Sequence, residues 1–399
     1  MSDMRIGVGC LSIGSKERQY LLDVLDSNRL SYGPYSRKFE ALFGAQHSCQ
    51  YAIFCNSGTS ALRVAVASLK ETDGWEDGDE VIVPAITFVS TANVLLMQGL
   101  KPVFVDPDPR TYNIDPSKIE EAISERTRCI VPVHLFGQPC EMDPIMGIAA
   151  GRKVRVIEDS CETMFVRYRG RPVGSFGDVS CFSTYVAHLL VTGVGGLACT
   201  SDAELAVILR SLINHGRDGI YLSIDDDKEA NGEELFQIVA RRFRFVRLGY
   251  SFRATEMEAA LGLAQLERLE EIIRKRQQNA AFLTEHLSRF SEELQLPYCP
   301  PHSEHAYMMY PVVLRDRKGS KTDLVNFLED QGIETRDMLP LINQPVYVQM
   351  FGEMSERYPV ADWINRCGFY IGCHQELREE ELQYIVDAFS RFFQSKARA

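Results

Sequence analysis

The pattern of this chain predicts an α/β fold, with a mostly parallel central sheet covered by helices on both faces and a smaller C-terminal α+β domain. Three features carry that prediction. From about residue 50 to 200, short apolar β-branched runs alternate with segments of helical periodicity, the mark of strands joined by crossover helices. Over about 250–290 the alternation gives way to one long amphipathic run rich in Glu, Arg and Lys. Strand and helix signals then resume in a different rhythm. The expected division is a large domain over 1–250, then a connecting helix and small domain over 251–399.

The elements follow in order. An apolar run at 51–54 leads into Cys55, Asn56, Ser57, Gly58 and Thr59, where a helix over 59–69 begins. Runs at 81–83, 102–105, 129–133 and 154–157 are apolar, β-branched and bounded by turn residues, so they read as buried strands. Between them, 90–98 and 116–125 carry helical spacing. A further short apolar strand begins at Val179 and ends in a Ser-containing turn with a Gly-rich exit at Gly193, Gly195 and Gly196. The hydrophilic stretch 223–234 reads as an exposed loop, and 255–278 as a single connecting helix. The last third holds a strand over 307–314 and helices over 321–331 and 379–395.

Composition narrows the function. The net charge of −12 disfavours general nucleic-acid binding, and the basic stretch 241–247 is too short to overturn this. No apolar run reaches the ~18 residues that span a bilayer, and the N-terminus lacks a signal-peptide pattern. Eleven cysteines without a CxxC pair predict reduced thiols and a cytoplasmic location. Gly7 and Gly9 are not followed by a dinucleotide fingerprint, since little chain precedes them and no GxGxxG follows. The eight histidines are dispersed, with no metal-ligand spacing; His302 and His305 lack an evident carboxylate partner.

Several residues at strand ends remain. Ser57, Gly58 and Thr59 open a helix whose free N–H groups suit a phosphate, although small polar residues also cap ordinary helices. Asp159 and Glu162 follow a buried strand. A carboxylate there suits a protonated pyridine nitrogen, and equally suits a helix cap. Phe88 follows another strand, placed either to stack on a flat ring or to fill the core. Ser183 and His188 come next, a turn hydroxyl and an imidazole able to move protons near neutral pH. Taken singly, each has a plain structural explanation. In this order and spacing they describe a pyridoxal-phosphate (PLP) pocket.

The same motifs resemble the DegT/DnrJ/EryC1/StrS family of sugar aminotransferases. The likeness runs from Leu11–Gly14 and Tyr32–Pro34 through Pro84–Phe88, Val133–Gln138, Glu158–Cys161 and Val173–Asp178 to Gly249–Ala260. It implies the PLP-dependent transferase fold type I and a homodimer whose sites lie between subunits. By that resemblance Gly58, Thr59 and Ser183 hold the phosphate, Asp159 faces the pyridine nitrogen, Phe88 stacks on the ring and Glu162 lies beside it. Ser251 stands where the family has an Asn that reaches the partner's cofactor phosphate. His188 stands where the aminotransferases present a lysine, as in the smaller branch of sugar 3-dehydratases, which share Ala187-His188. Thr184, Val186 and Val194 depart from that branch's pattern, Val194 replacing a Glu. No cysteine follows Gly216-Arg217-Asp218 before Cys299, so no iron–sulfur cluster is expected.

The resemblance therefore implies PLP or pyridoxamine phosphate (PMP) as cofactor. It also implies an NDP-4-keto-6-deoxyhexose and L-glutamate as substrates, and removal of the C3 hydroxyl with His188 as acid and base. The alternatives are an aminotransferase-like half-reaction on PMP, or a non-catalytic relative that binds PLP or a nucleotide sugar.

Overall fold

The computed structural model describes residues 6–219, 230–316 and 321–398. Helices α1 (Ser15–Asp26) and α2 (Pro34–Gln46) precede strand β1 (Tyr51–Cys55), which runs into α3 (Gly58–Asp73). Then come β2 (Glu80–Pro84), α4 (Val89–Leu96), β3 (Lys101–Val105), the one-turn α5 (Ile119–Ala122) and β4 (Thr127–Ile130). Helix α6 (Met142–Arg152), β5 (Arg155–Asp159) and a hairpin of β6 (Arg167–Tyr168) and β7 (Arg171–Pro172) follow. Strands β8 (Val179–Ser183) and β9 (Gly196–Thr200) complete the main sheet, with α7 (Ala203–Ile213) behind them.

The seven strands lie in the order β1-β9-β8-β5-β4-β2-β3. The run β8 to β3 is parallel, and β9 is antiparallel to both its neighbours. The sheet is dry on both faces because its strands alternate between two apolar clusters. Val81, Val83, Cys129 and Ile157 point into one, and Ile82, Ile130 and Val156 into the other. This is the period-2 geometry that makes buried strands apolar at every position.

After α8 (Gly232–Arg241) come α9 (Glu256–Leu266) and α10 (Leu269–Leu287), where one continuous helix was expected. The break falls at Arg268, whose backbone (φ −111°, ψ 11°) leaves the helical region. Each half has its own partner: α9 packs on α1 and α2, while α10 faces the C-terminal helix. Glu256 ties α9 to the first turn of α2 by accepting from Gly33 N, Tyr35 N and Ser36 N.

The small sheet is antiparallel, in the order β10-β11-β13-β12. Its strands are β10 (Leu294–Gln295), β11 (Met309–Leu314), β12 (Thr335–Asp337) and β13 (Gly368–Gly372). Helices α11 (Lys321–Asp330), α12 (Pro345–Phe351), α13 (Pro359–Cys367) and α14 (Glu379–Arg398) surround it, with α14 packed on α10.

Three further expectations need correction. The helix expected over 116–125 shrinks to a 3₁₀ turn and α5, since Ile123 is already extended (ψ 130°). Strand β4 stops at Ile130 rather than 133, because Pro132 has no N–H for a ladder. Of the exposed loop expected over 223–234, residues 223–229 lie outside the described residues and Gly232 opens α8. That helix was hidden by the polar Asn231, Glu233 and Glu234 at its start.

Candidate active site

The carboxyl ends of the parallel strands meet the small sheet around a cavity of about 350 Å³, where ligands bind in open α/β sheets. Ser57, Gly58 and Thr59 line it beyond β1, Thr87 and Phe88 beyond β2, and Asp159, Cys161 and Glu162 at the end of β5. Ser183, Tyr185 and His188 enter from β8, while Met308, Met309 and Tyr370 form the opposite wall. Seven of the eight sequence-predicted site residues thus come together. Ser251 does not line this cavity; it is exposed and accepts from Arg253 Nη2 at 3.2 Å. A larger groove at the amino ends of the strands contains none of them, and it holds the ion pairs Arg155–Asp73 and Arg128–Asp79.

One wall is the start of α3. Ser57 caps the helix by accepting from Ser60 N at 3.0 Å, leaving the preceding N–H groups without intrahelical acceptors. Space here is short: a Cβ on Gly58 would stand 2.7 Å from Ser183 Cβ and 2.9 Å from Cys161 Sγ. Glycine lets the backbone amides and the Ser183 hydroxyl converge on one spot, a cradle sized for a phosphate.

The floor is acidic. Asp159 is 3% exposed, accepting from Thr91 Oγ1 at 2.8 Å and from Cys161 N at 3.2 Å. Burial raises its pKa above the usual carboxylate value against these hydrogen bonds, and among the described residues no cation pairs with it. A buried carboxylate so placed calls for a positive partner from a ligand. Its neighbour Glu158 points to the other side, where it accepts from Gly174 N, Phe176 N and Gly177 N and meets His134 Nε2 at 3.2 Å. Strand alternation thus gives adjacent acids different work, Glu158 holding a loop and Asp159 facing the cavity. Glu162 accepts from Phe136 N at 3.0 Å, and burial followed by the charge of Asp159 pushes its pKa up to about 7.

Phe88, 57% exposed, presents its ring to the cavity instead of the core. His188 is partly open to the same space. Its Nδ1 lies 3.1 Å from the Ser183 carbonyl; a carbonyl only accepts, so the proton sits on Nδ1 and Nε2 is left as a base. Desolvation, with a contribution from Arg276, lowers its pKa to about 4. No lysine is among the described residues lining the cavity. His302, for which no carboxylate partner was evident, meets Glu141 Oε1 at 2.9 Å, far along the chain. Among the described residues no group of three His, Cys, Asp or Glu is arranged to hold a metal.

A family model, described as the DegT/DnrJ/EryC1/StrS aminotransferase family, matches residues 11–390. The chain belongs to this family. It is 33% identical over 395 residues to GDP-perosamine synthase of Caulobacter vibrioides, covering 98% of this chain and 99% of that one. It is 29% identical to GDP-4-keto-6-deoxy-D-mannose 3-dehydratase of Yersinia pseudotuberculosis, covering 94% and 96%. The solved structure of the E. coli GDP-4-keto-6-deoxy-D-mannose-3-dehydratase with bound hydrated PLP superposes with a TM-score of 0.87 at 27% identity. That match covers 96% of this chain and 99% of the other.

The fold is therefore that of PLP-dependent transferases, and the chain is a PLP-dependent sugar-modifying enzyme. Its cavity fits that coenzyme by its own features: the glycine-lined cradle, the unpaired buried carboxylate and the exposed aromatic face. The residues sequence reading missed are Thr91, Tyr370 and Met308 at the cavity, and behind it Gln265 and Arg276, which bond Val191 N and His188 O of the loop after β8. Thr91 had a local signal, lying one helical turn after Thr87, whose hydroxyl it meets at 2.8 Å.

Proposed function

We propose that this enzyme is a 3-dehydratase that removes the C3 hydroxyl of an NDP-4-keto-6-deoxyhexose. The observation that carries the reading is an imidazole with a free Nε2 facing a coenzyme cavity lined by no lysine among the described residues. A lysine forms a Schiff base with the coenzyme aldehyde and returns for each transamination; histidine cannot do the first. Bound in its amine form, PMP supplies an amino group for the sugar's keto carbon and a ring that stores an electron pair.

The chain's residues do the rest. Gly58, Thr59 and Ser183 hold the phosphate, Phe88 covers one face of the ring, and Asp159 keeps a proton on the ring nitrogen. Glu162 lies beside the ring with its carboxyl largely protonated below about pH 7. Nε2 of His188 takes up the proton released beside the ring and passes it to the oxygen leaving C3, so that water departs and no charge accumulates. Acid–base help of this kind is worth roughly a hundred- to ten-thousand-fold. L-glutamate restores the amine form between turnovers.

The working unit we propose is a homodimer. Phe236, Phe243 and Leu248 are 71%, 81% and 96% exposed, apolar surface of the kind buried between subunits. Ser251 and Arg253 follow Leu248 in the chain and do not line their own cavity.

Incubation with PMP and a panel of 4-keto nucleotide sugars, followed by mass spectrometry, tests the reaction. A 3-deoxy-4-keto product with release of ammonia is expected. The likeness to GDP-perosamine synthase supports a second reading, transamination at C4; an amino sugar as the product would establish it and remove dehydration.

A further inference from the structure

Helix α10 carries a basic run, Arg274, Lys275 and Arg276, that suggests a solvated face. Arg276 instead falls on the buried stripe of Ile272, Ala280, Leu283 and Leu287, and is itself only 1% exposed. Among the described residues no carboxylate pairs with it. Its guanidinium gathers neutral acceptors: Met308 O at 2.8 Å, Gln375 Oε1 at 3.1 Å, Tyr307 O at 3.3 Å and His188 O at 3.4 Å. Burying an unpaired cation is costly, so this placement calls for a function.

The acceptors come from two parts of the molecule. His188 belongs to the loop after β8, whereas Tyr307 and Met308 lead into β11 and Met308 lines the opposite cavity wall. Tyr307 is held in the left-handed region (φ 47°), a conformation that neighbouring contacts must maintain. A second buried side chain grips the same histidine loop: Gln265 of α9 accepts from Val191 N at 2.9 Å and donates to Val191 O. The loop ends are closed by Thr192 N to Thr184 O at 2.9 Å.

We propose that Arg276 is the positioning residue for His188. It fixes the loop bearing the imidazole against the wall built by the small sheet and keeps a positive charge behind the ring. The groups acting on that imidazole are the Ser183 carbonyl and Tyr185 from its own loop and Arg276 from α10; Asp159, Glu162 and Tyr370 of β13 line the same cavity. Arg276 is the one cation among them. This role rests on His188 being the proton carrier, but its NMR readouts do not.

The test is NMR of full-length, coenzyme-free protein with labelled histidine rings, His188→Asn providing the assignment. In the parent protein the ring should remain neutral, with the proton on Nδ1, until strongly acidic pH. Arg276→Met should move its titration upward by about one pH unit and mix the tautomers. Arg276→Lys keeps the charge but not the fork that reaches several carbonyls. It should retain the low titration, broaden the Nδ1–H signal and lower kcat by about ten- to a hundred-fold at similar KM. A folded Arg276→Met protein with unchanged His188 titration and tautomer overturns the proposal. If that variant does not fold, an unchanged ring spectrum in Arg276→Lys overturns it. If the spectra shift as described while no variant dehydrates any sugar, positioning stands and the reaction assignment falls.

Discussion

At the scale of single residues, the proposed chemistry divides between an imidazole and a carboxylate whose surroundings push them toward their neutral forms. His188→Asn keeps the shape of the side chain but has no basic nitrogen, so dehydration should fall to background; near-normal turnover would remove the role. His188→Lys should create the visible absorption of a lysine-bound PLP aldehyde, and silence there would mean that position 188 does not face the aldehyde carbon. The depressed titration of His188, to about 4, has a sign that can be checked. Only the neutral ring accepts a proton, so the acid limb of kcat/KM should lie near pH 4, not at the ordinary histidine value of about 6.5. Thr91→Val deletes a hydrogen bond to Asp159 at a buried site. A loss of about 1–3 kcal/mol is expected, read as weaker coenzyme binding by equilibrium titration.

At the scale of elements, the site depends on how closely β8, β9 and the start of α3 approach. A Cβ on Gly196 would lie 2.5 Å from Gly58 N, and backbone cannot swing aside as a long side chain can. Gly58→Ala and Gly196→Ala should each destabilise by about 1–3 kcal/mol and weaken coenzyme binding at least as strongly. Thermal unfolding with and without PLP separates the two effects. The sequence made this region readable because its signals are local. β-branched runs mark β2, β3 and β5, and small polar residues mark the strand ends, so Gly58, Phe88, Asp159, Glu162, Ser183 and His188 could be placed. Arg276 and Gln265 could not be placed that way, since their acceptors lie 88 and 74 residues away for His188 and Val191. The spacing of Arg276 with Ile272, Ala280, Leu283 and Leu287 was the one available sign. The α9–α10 break was equally silent, because no glycine or proline marks it and tertiary partners decide it.

At the scale of the whole molecule, four histidines are held neutral by burial. His47, His188 and His374 titrate at about 4, and His305 at about 3. Each has a folded pKa below its unfolded value, so between about pH 6.5 and 4 the unfolded chain binds protons that the folded chain refuses. Stability should therefore decline as pH falls through that window. The completely buried His47 alone contributes on the order of 3 kcal/mol. Replacing His47 with Phe should flatten part of the decline in melting temperature measured across that range; an unchanged slope would show that other groups drive it.

The cavity's want of a lysine among the described residues has a further consequence. Enzymes that tether their coenzyme through an imine keep it through dialysis and dilution. In the proposed site retention would rest on amide N–H groups, one hydroxyl, a carboxylate and an aromatic face, all reversible. The protein should leave purification partly empty, and its output in the cell should follow the local supply of vitamin B6 as well as that of sugar.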